Sequence, residues 1–181
     1  LNVKICPTHA GVSLGEDGGS HQSVEDVALM RAIPGMVVLS PADAVETEKM
    51  VFAVAEYEGP VYVRLGRLNI PVLFDENYKF EIGKAATLRE GNDVAILATG
   101  LMVSEALEAA KLLEEKGIKA RVVNVSTIKP LDTETVLKAA KECKFIVTSE
   151  EHSVIGGLGS AVSEYLSEVH PAKVVKHGIQ D

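Results

Sequence analysis

Two histidines and an acidic pair stand close together in a glycine-rich stretch, residues 8–22. The imidazoles of His9 and His21 can donate to phosphate or transfer protons near neutral pH, and the Asp17 carboxylate can accept from hydroxyl groups. The glycines permit backbone conformations closed to other residues, so the main chain can approach a ligand closely. These residue types suit a substrate with hydroxyls and phosphate. The alternative is an ordinary surface loop with solvated side chains.

Two predicted elements flank this loop. Residues 3–6 have the composition of a short buried strand, and Ser23 with Asp26 three positions later predicts a helix that begins at Ser23 and runs to about Ala32. Loop 8–22 would therefore follow the carboxyl end of a strand, where open α/β sheets bind their ligands. This placement favours a functional loop.

A basic candidate follows another predicted strand, residues 61–65. Arg67 comes just after this strand, and a guanidinium group there can hold a phosphate through paired hydrogen bonds. Arg64 is the competing candidate. A solvated surface arginine is the alternative to a phosphate ligand.

Strand and helix patterns alternate through the first part of the chain. Residues 36–39 form a buried run, and Ser40 as N-cap, Pro41 and Asp43 predict the start of a helix that ends near Gly59. Such alternation is typical of a parallel α/β sheet. The pattern breaks over 69–78, where we place a domain linker.

The rest of the chain predicts a second α/β unit. It begins with an edge strand over 82–88. The following strands are predicted at 93–98, 120–125, 145–148 and 173–176, with helices at 103–116, 133–141 and 156–169. Right-handed crossovers would fold this order into a compact three-layer unit.

The glycine-rich turn 156–159 could receive phosphate on its backbone amides. It lacks the G-x-G-x-x-G spacing, so we predict close packing or a domain contact instead. No metal-ligand motif is present, and we assign a structural role to the neighbouring Glu150, Glu151 and His152. His170 and His177 are interpreted as non-catalytic.

Composition narrows the class of protein. The 181-residue chain has a formal net charge of −8 at pH 7, which argues against non-specific binding to nucleic acid or anionic membranes. The sequence has neither a bilayer-length apolar run nor a signal-peptide pattern, and we expect a cytoplasmic protein. Cys6 and Cys143 are predicted to be buried free thiols. The chain begins without Met inside a strand pattern, so we expect a fragment of a longer protein.

Three motifs together resemble the pyrimidine-binding region of transketolases. They are GEDG-x-SHQ at 15–22, the preceding Thr8-His9, and R-x-x-P-x-M at 31–36. Residues 66–69 are more loosely similar to the family's S-R-Q-N segment, with Ser and Gln replaced, and 150–159 resembles its C-terminal domain. The resemblance implies the later half of a parallel-sheet pyrimidine-binding domain with a linker over 1–75, then a three-layer α/β/α C-terminal domain over 76–181.

The family moves a two-carbon ketol unit from a ketose phosphate to an aldose phosphate in the pentose phosphate pathway. It uses thiamine diphosphate and a divalent metal, here Mg²⁺. By matching motif, the resemblance places His9 near the substrate phosphate, Asp17 at a substrate hydroxyl, His21 beside the reacting oxygens of the donor, and Arg67 on the phosphate. Asp17 and His21 are thus the expected catalytic residues.

Two family essentials have no counterpart in this chain. The glutamate that activates the cofactor would lie upstream of Leu1, and the diphosphate and metal ligands belong to a separate domain. The resemblance therefore implies a homodimer and an N-terminal transketolase region or subunit as partners. A deoxyxylulose-phosphate synthase, a 2-oxo-acid dehydrogenase β subunit and a noncatalytic assembly module remain alternatives. Thr8-His9 favours transketolase, since the synthase tends to carry a different dipeptide there.

Overall fold

A computed structural model describes residues 1–181 as two sheets flanked by helices. The strands are β1 (Lys4–Ile5), β2 (Val37–Leu39), β3 (Val61–Val63), β4 (Ala86–Arg89), β5 (Val94–Ala98), β6 (Ala120–Asn124), β7 (Thr127–Lys129), β8 (Ile146–Ser153) and β9 (Val174–Ile179). The helices are α1 (Asp26–Ala32), α2 (Ala44–Glu56), α3 (Met102–Glu114), α4 (Thr133–Glu142) and α5 (Leu158–Val169). None of them combines the length and apolar composition needed to cross a bilayer.

The first sheet has the strand order β1-β3-β2-β7. Its strands β1, β3 and β2 are parallel, as the strand–helix alternation predicts. Alternate residues of a strand face opposite sides of a sheet. Accordingly Val38 packs beside Val27 of α1, whereas Val37 and Leu39 pack against Met50 of α2. The two helices thus cover opposite faces and leave the strand ends free for loops.

The second sheet has the order β4-β6-β5-β8-β9. Ala95 and Leu97 of β5 pack against α4 and α5, and Ile96 and Ala98 pack against α3. This alternation produces the predicted three layers. The predicted edge strand is also confirmed, since β4 lies at the sheet edge and runs antiparallel to β6.

Strand β7 was not predicted. It leaves the second part of the chain and pairs antiparallel with β2 of the first sheet. Lys129 reinforces the contact, because its Nζ donates to the carbonyls of Arg31 and Ile33 at 2.8 and 2.7 Å. A three-residue strand has too little periodicity to be recognised without its partner.

Both predicted helix starts in the first part of the chain are wrong in detail. Helix α1 begins at Asp26, and Ser23 does not cap it. Helix α2 is capped by Asp43, whose Oδ1 accepts from Glu46 N at 2.7 Å, rather than by Ser40. Asp26 pairs with the distant Arg64 instead of serving a cap at Ser23, whereas Asp43 is itself the cap of a helix that begins later than predicted.

The predicted linker contains no helix or strand, and it packs against the core of the second sheet through Leu73 and Phe74 while it is hydrogen-bonded to the start of α2. Asp43 Oδ2 accepts from the backbone N–H groups of Leu73 and Phe74 at 2.7 and 2.9 Å. Glu46, fully buried, accepts from the Tyr78 hydroxyl and from the Asn124 amide. The N-terminus of α2 therefore binds both the linker and the second sheet.

Two further expectations change. Strand β8 extends well beyond residue 148, so Glu150, Glu151 and His152 lie within the strand. Cys143 is buried as predicted, but Cys6 is exposed, since it follows an edge strand that no neighbour covers.

Candidate functional site

Loop 8–22 begins beside the carboxyl end of β3. Ala10 N donates to Leu65 O at 3.2 Å, and Leu65 N donates to Pro7 O at 3.1 Å, which extends the β1–β3 pairing past both strands. A bond of 2.8 Å from Gly11 N to Ser23 O closes the base of the loop. The loop thus occupies the expected edge of the first sheet.

His9 has an unusual backbone conformation. Its φ is 65°, and it is the only residue other than glycine with a positive φ in the chain. Such a conformation costs free energy for a residue with a side chain, and in proteins it is concentrated at functional sites. Nδ1 of His9 lies 2.8 Å from Thr8 Oγ1, which leaves Nε2 without a hydrogen bond inside the chain.

Asp17 and Arg67 form an ion pair, although they come from different segments. Arg67 Nε lies 3.2 Å from Asp17 Oδ2, with the side chains 41% and 37% exposed. Asp17 ends the single 3₁₀ turn of the loop, Gly15–Asp17, and Arg67 follows β3. A carboxylate and a guanidinium group therefore share one solvent-accessible position.

The two histidines form their hydrogen bonds with other residues than this pair. His21 is exposed, and its Nδ1 lies 3.0 Å from Ser20 Oγ. No hydrogen bond or ion pair joins His9 or His21 to Asp17 or Arg67. The structure therefore brings together two of the four candidate side chains and keeps all four on one loop system.

Arg64, the competing phosphate candidate, is buried in a polar cluster. Its Nε donates to Asp26 Oδ2 at 2.9 Å, and its Nη2 donates to the carbonyls of Ser23 and Glu151 at 3.1 and 2.9 Å. Burial and the hydrogen bond to Asp26 raise the pKa of the Tyr62 hydroxyl, which stays a donor to that carboxylate. Nε and Nη2 of Arg64 are thus both used in hydrogen bonds within the chain.

Glu150, Glu151 and His152 form hydrogen bonds within the chain, and Glu151 in addition binds loop 8–22. Glu150 accepts from the amides of Leu158 and Gly159 at 2.7 and 2.8 Å, so its carboxylate occupies the glycine-rich turn that could have received phosphate. Burial raises the pKa of Glu150, because these two N–H groups only partly replace its lost hydration.

Glu151 is the residue that sequence reasoning missed. Its Oε1 accepts from Val12 N at 2.7 Å and from Ser13 N at 2.6 Å, inside loop 8–22. His152 stays on the structural side of the cluster, where its Nε2 accepts from Ala28 N at 3.3 Å. The only signal in the sequence was a pair of carboxylates after a buried strand.

A cavity of about 530 Å³ lies next to this cluster, between the ends of β2, β3 and β5. Its polar lining includes Thr8, Ser40, Arg64, Thr99 and Glu151. None of the four candidate side chains lines it. The candidate site is therefore the open surface of loop 8–22 and Arg67, and the cavity lies beside it.

The donor set of this surface suits hydroxyl and phosphate groups. The structure contains no group of three or more His, Cys, Asp or Glu side chains placed to hold a metal ion. Mg²⁺ prefers octahedral oxygen ligands from carboxylates, water and phosphate. This surface therefore offers Mg²⁺ no cluster of protein ligands, and further ligands would have to come from water, phosphate or another region.

Comparison with known proteins confirms the resemblance drawn from the motifs. The family model described as the transketolase pyrimidine-binding domain matches residues 1–72, and the transketolase C-terminal domain matches residues 83–181. The chain is 50% identical to a protein described as a transketolase C-terminal section from Methanocaldococcus jannaschii, with all of this chain and 57% of that protein aligned. It is 47% identical to a 6-deoxy-6-sulfo-D-fructose transketolase subunit from Clostridium sp. strain MSTE9, over 100% of this chain and 56% of that subunit.

A solved structure is similar along the whole chain. It is that of a split-gene transketolase described as an inactive beta4 tetramer, with a TM-score of 0.94 and 54% identity over 100% of this chain and 58% of the other. The chain spans a little more than half the length of each of these three proteins.

Proposed function

This chain belongs to the transketolase family, and we propose that it supplies the sugar-phosphate-binding surface of a transketolase. The reaction would transfer a two-carbon ketol unit from a ketose phosphate to an aldose phosphate. The family assignment is supported by both matched domains. The reaction itself is inferred from the side chains of loop 8–22.

The observation that carries the proposal is the exposed pair of Asp17 and Arg67. A phosphate dianion would replace the carboxylate as the partner of Arg67, because a guanidinium group binds phosphate oxygens in a bidentate manner. Asp17 would then be free to accept from a substrate hydroxyl. An ion pair of 3.2 Å with both members accessible supports this exchange of partners.

The histidines would act on either side of this pair. His9 Nε2 is available to donate to the substrate phosphate, and His21 Nε2 to the reacting oxygens of the donor. An imidazole can act as a general acid or base, and we assign this role to His21. Asp17 and His21 are accordingly the proposed catalytic residues.

Thiamine diphosphate would supply the carbanion chemistry of this reaction when it is bound. We propose that its diphosphate and Mg²⁺ are held by another region or subunit, as the family resemblance implies. Relatives named as a C-terminal section or a subunit, each nearly twice the aligned length, support an N-terminal partner. A homodimer of the complete assembly is part of the same proposal.

Reconstitution tests the proposal. We expect ketol transfer with thiamine diphosphate and Mg²⁺ only when this chain is combined with an N-terminal transketolase region, and none from this chain alone. In the active assembly, Asp17→Ala and His21→Ala should each lower kcat/KM on the order of 10²-fold, as loss of a donor or acceptor at a charge-developing site does.

Two outcomes would overturn the proposal. Full activity of both variants would remove loop 8–22 from the site. A strong preference for pyruvate as donor would point instead to a deoxyxylulose-phosphate synthase or a 2-oxo-acid dehydrogenase.

A further inference from the structure

One side chain of the second sheet, Glu151 of β8, forms hydrogen bonds with loop 8–22. Its Oε1 atom accepts from the consecutive backbone N–H groups of Val12 and Ser13, at 2.7 and 2.6 Å, across 139 and 138 residues of sequence. A carboxylate that accepts from backbone N–H groups forms charge-assisted bonds, which are shorter and stronger than neutral ones. The contact therefore fixes the backbone of the loop directly.

The fit around this carboxylate is close. A Cβ atom on Gly11 would lie 2.3 Å from Glu151 Cδ, and Gly11 has a φ of +95°, so neither the space nor the backbone allows a side chain there. Arg64 Nη2 donates to Glu151 O and to Ser23 O. The same Ser23 carbonyl accepts from Gly11 N and so closes the base of the loop. One buried cluster thus holds both ends of the loop, while Asp17 and His21 at its tip remain exposed.

We propose that Glu151 is a positioning residue for sugar-phosphate binding: it holds residues 12 and 13 so that the tip of the loop presents Asp17 to Arg67 and the substrate. This inference rests on the proposed function for its effect on catalysis. The second sheet would thus contribute to the site through Glu151, although His9, Asp17, His21 and Arg67 all lie outside this sheet. Enzyme groups must be held within a fraction of an ångström of their working geometry, and misplacement by about 1 Å costs on the order of 10²-fold in rate.

Glu151 and Glu150 use their carboxylate oxygens differently, and this difference allows an effect on the loop to be distinguished from a general loss of stability. Only Oε1 of Glu151 accepts, so glutamine can keep both bonds through its carbonyl oxygen. Its neighbour Glu150 uses both oxygens, one for Leu158 N and one for Gly159 N. Glutamine there must place an NH₂ group against a backbone N–H. Glu150→Gln is therefore a matched control that damages the same strand without touching the loop.

Amide hydrogen exchange of the isolated full chain, followed by NMR, tests the contact itself. In Glu151→Ala we expect exchange at Val12 and Ser13 to accelerate by about tenfold or more, the factor that corresponds to loss of a hydrogen bond to a charged group. Glu151→Gln should exchange at a rate between those of the parent and the alanine variant, because it keeps both bonds but loses the charge. Glu150→Gln should accelerate exchange at Leu158 and Gly159 and leave the loop amides unchanged.

Kinetics of the reconstituted assembly test the consequence. We expect Glu151→Ala to lower kcat/KM for a ketose phosphate on the order of 10²-fold, with rescue by Glu151→Gln. Unchanged exchange at Val12 and Ser13, or a glutamine variant as impaired as alanine in a folded protein, would overturn the positioning role. If the parent assembly shows no ketol transfer, the proposed function fails, and the exchange rates still decide the role of Glu151 in the loop.

Discussion

At the scale of single residues, two arginines three positions apart have different environments. Arg64 is 8% exposed and pairs with Asp26, while Arg67 is far more accessible and pairs with Asp17. Removing Arg64 would leave a buried carboxylate without its partner, which is strongly destabilising. The exposed pair contributes little to stability, because solvent screens it. The accessible pair is therefore the one for which we propose an exchange of partners, whereas Arg64 is held by buried groups.

We expect Arg67→Ala in the assembled enzyme to raise KM for a ketose phosphate at least about tenfold, because hydrogen bonds to a charged group contribute roughly 1.5–3 kcal/mol each. Removal of a contact remote from the reacting bond should weaken binding more than turnover. Steady-state kinetics with a phosphorylated donor and with hydroxypyruvate measure the effect. Hydroxypyruvate is the control, since it has no phosphate, and equal losses on the two donors would contradict the assignment.

At the scale of elements, the N-terminus of α2 is a junction, the place where this helix, the linker and the second sheet are hydrogen-bonded together. Asp43 caps the helix with one carboxylate oxygen and holds Leu73 and Phe74 of the linker with the other. Glu46 accepts from Ala42 N at 2.7 Å, in the manner of a capping box displaced by one residue. An ordinary helix cap thus also determines where the chain leaves the first sheet.

Asp43→Ala should lower the free energy of unfolding by about 2–4 kcal/mol, since it removes an N-cap and leaves two linker N–H groups without their acceptor. Asp43→Asn should fall between alanine and the parent, because its single oxygen can keep the cap while its NH₂ faces the linker donors. Urea unfolding followed by circular dichroism gives both values. Glu48 is exposed on the same helix, so Glu48→Ala serves as the control. If Asp43→Ala is as stable as this control, Asp43 does not hold the linker to the helix.

At the scale of the whole molecule, the two sheets share structure. Strand β7 completes the first sheet, Asn124 of β6 donates to the buried Glu46 at 2.9 Å, and Glu151 of β8 holds loop 8–22. Each contact buries polar groups that need partners from the other part of the chain. Opening one part would therefore expose unsatisfied groups in the other.

We expect one cooperative unfolding transition for the whole chain. Exchange of backbone amides in β2 and in β5 should report the same free energy of opening, because a cooperative unit opens as a whole. Labelling of the buried Cys143 thiol during urea titration should give the same midpoint as circular dichroism, with exposed Cys6 as the internal control for reactivity. Two separated transitions would show that the parts fold independently.

The sequence by itself determined the order of strands and helices apart from β7, the α/β class and the position of loop 8–22. Apolar periodicity and glycine-rich breaks depend on neighbouring residues, so they can be read without a fold. The same holds for the motifs that identified the family. The roles of Asp17, His21, His9 and Arg67 stay predictions that the proposed kinetics address.

The tertiary structure alone decided that β7 joins the first sheet, that Asp43 replaces Ser40 as the cap, that Asp26 at the start of α1 pairs with Arg64, and that Glu151 reaches Val12 and Ser13. Three of these contacts join residues distant in sequence, as far as 139 residues for Glu151 and Val12, and the local cap at Asp43 is accompanied by bonds to Leu73 and Phe74. A local sequence pattern indicates which kinds of partner a side chain can bind. Which of several possible partners it does bind is determined by the burial that packing imposes, because a buried polar group left without a partner costs more than a local cap contributes.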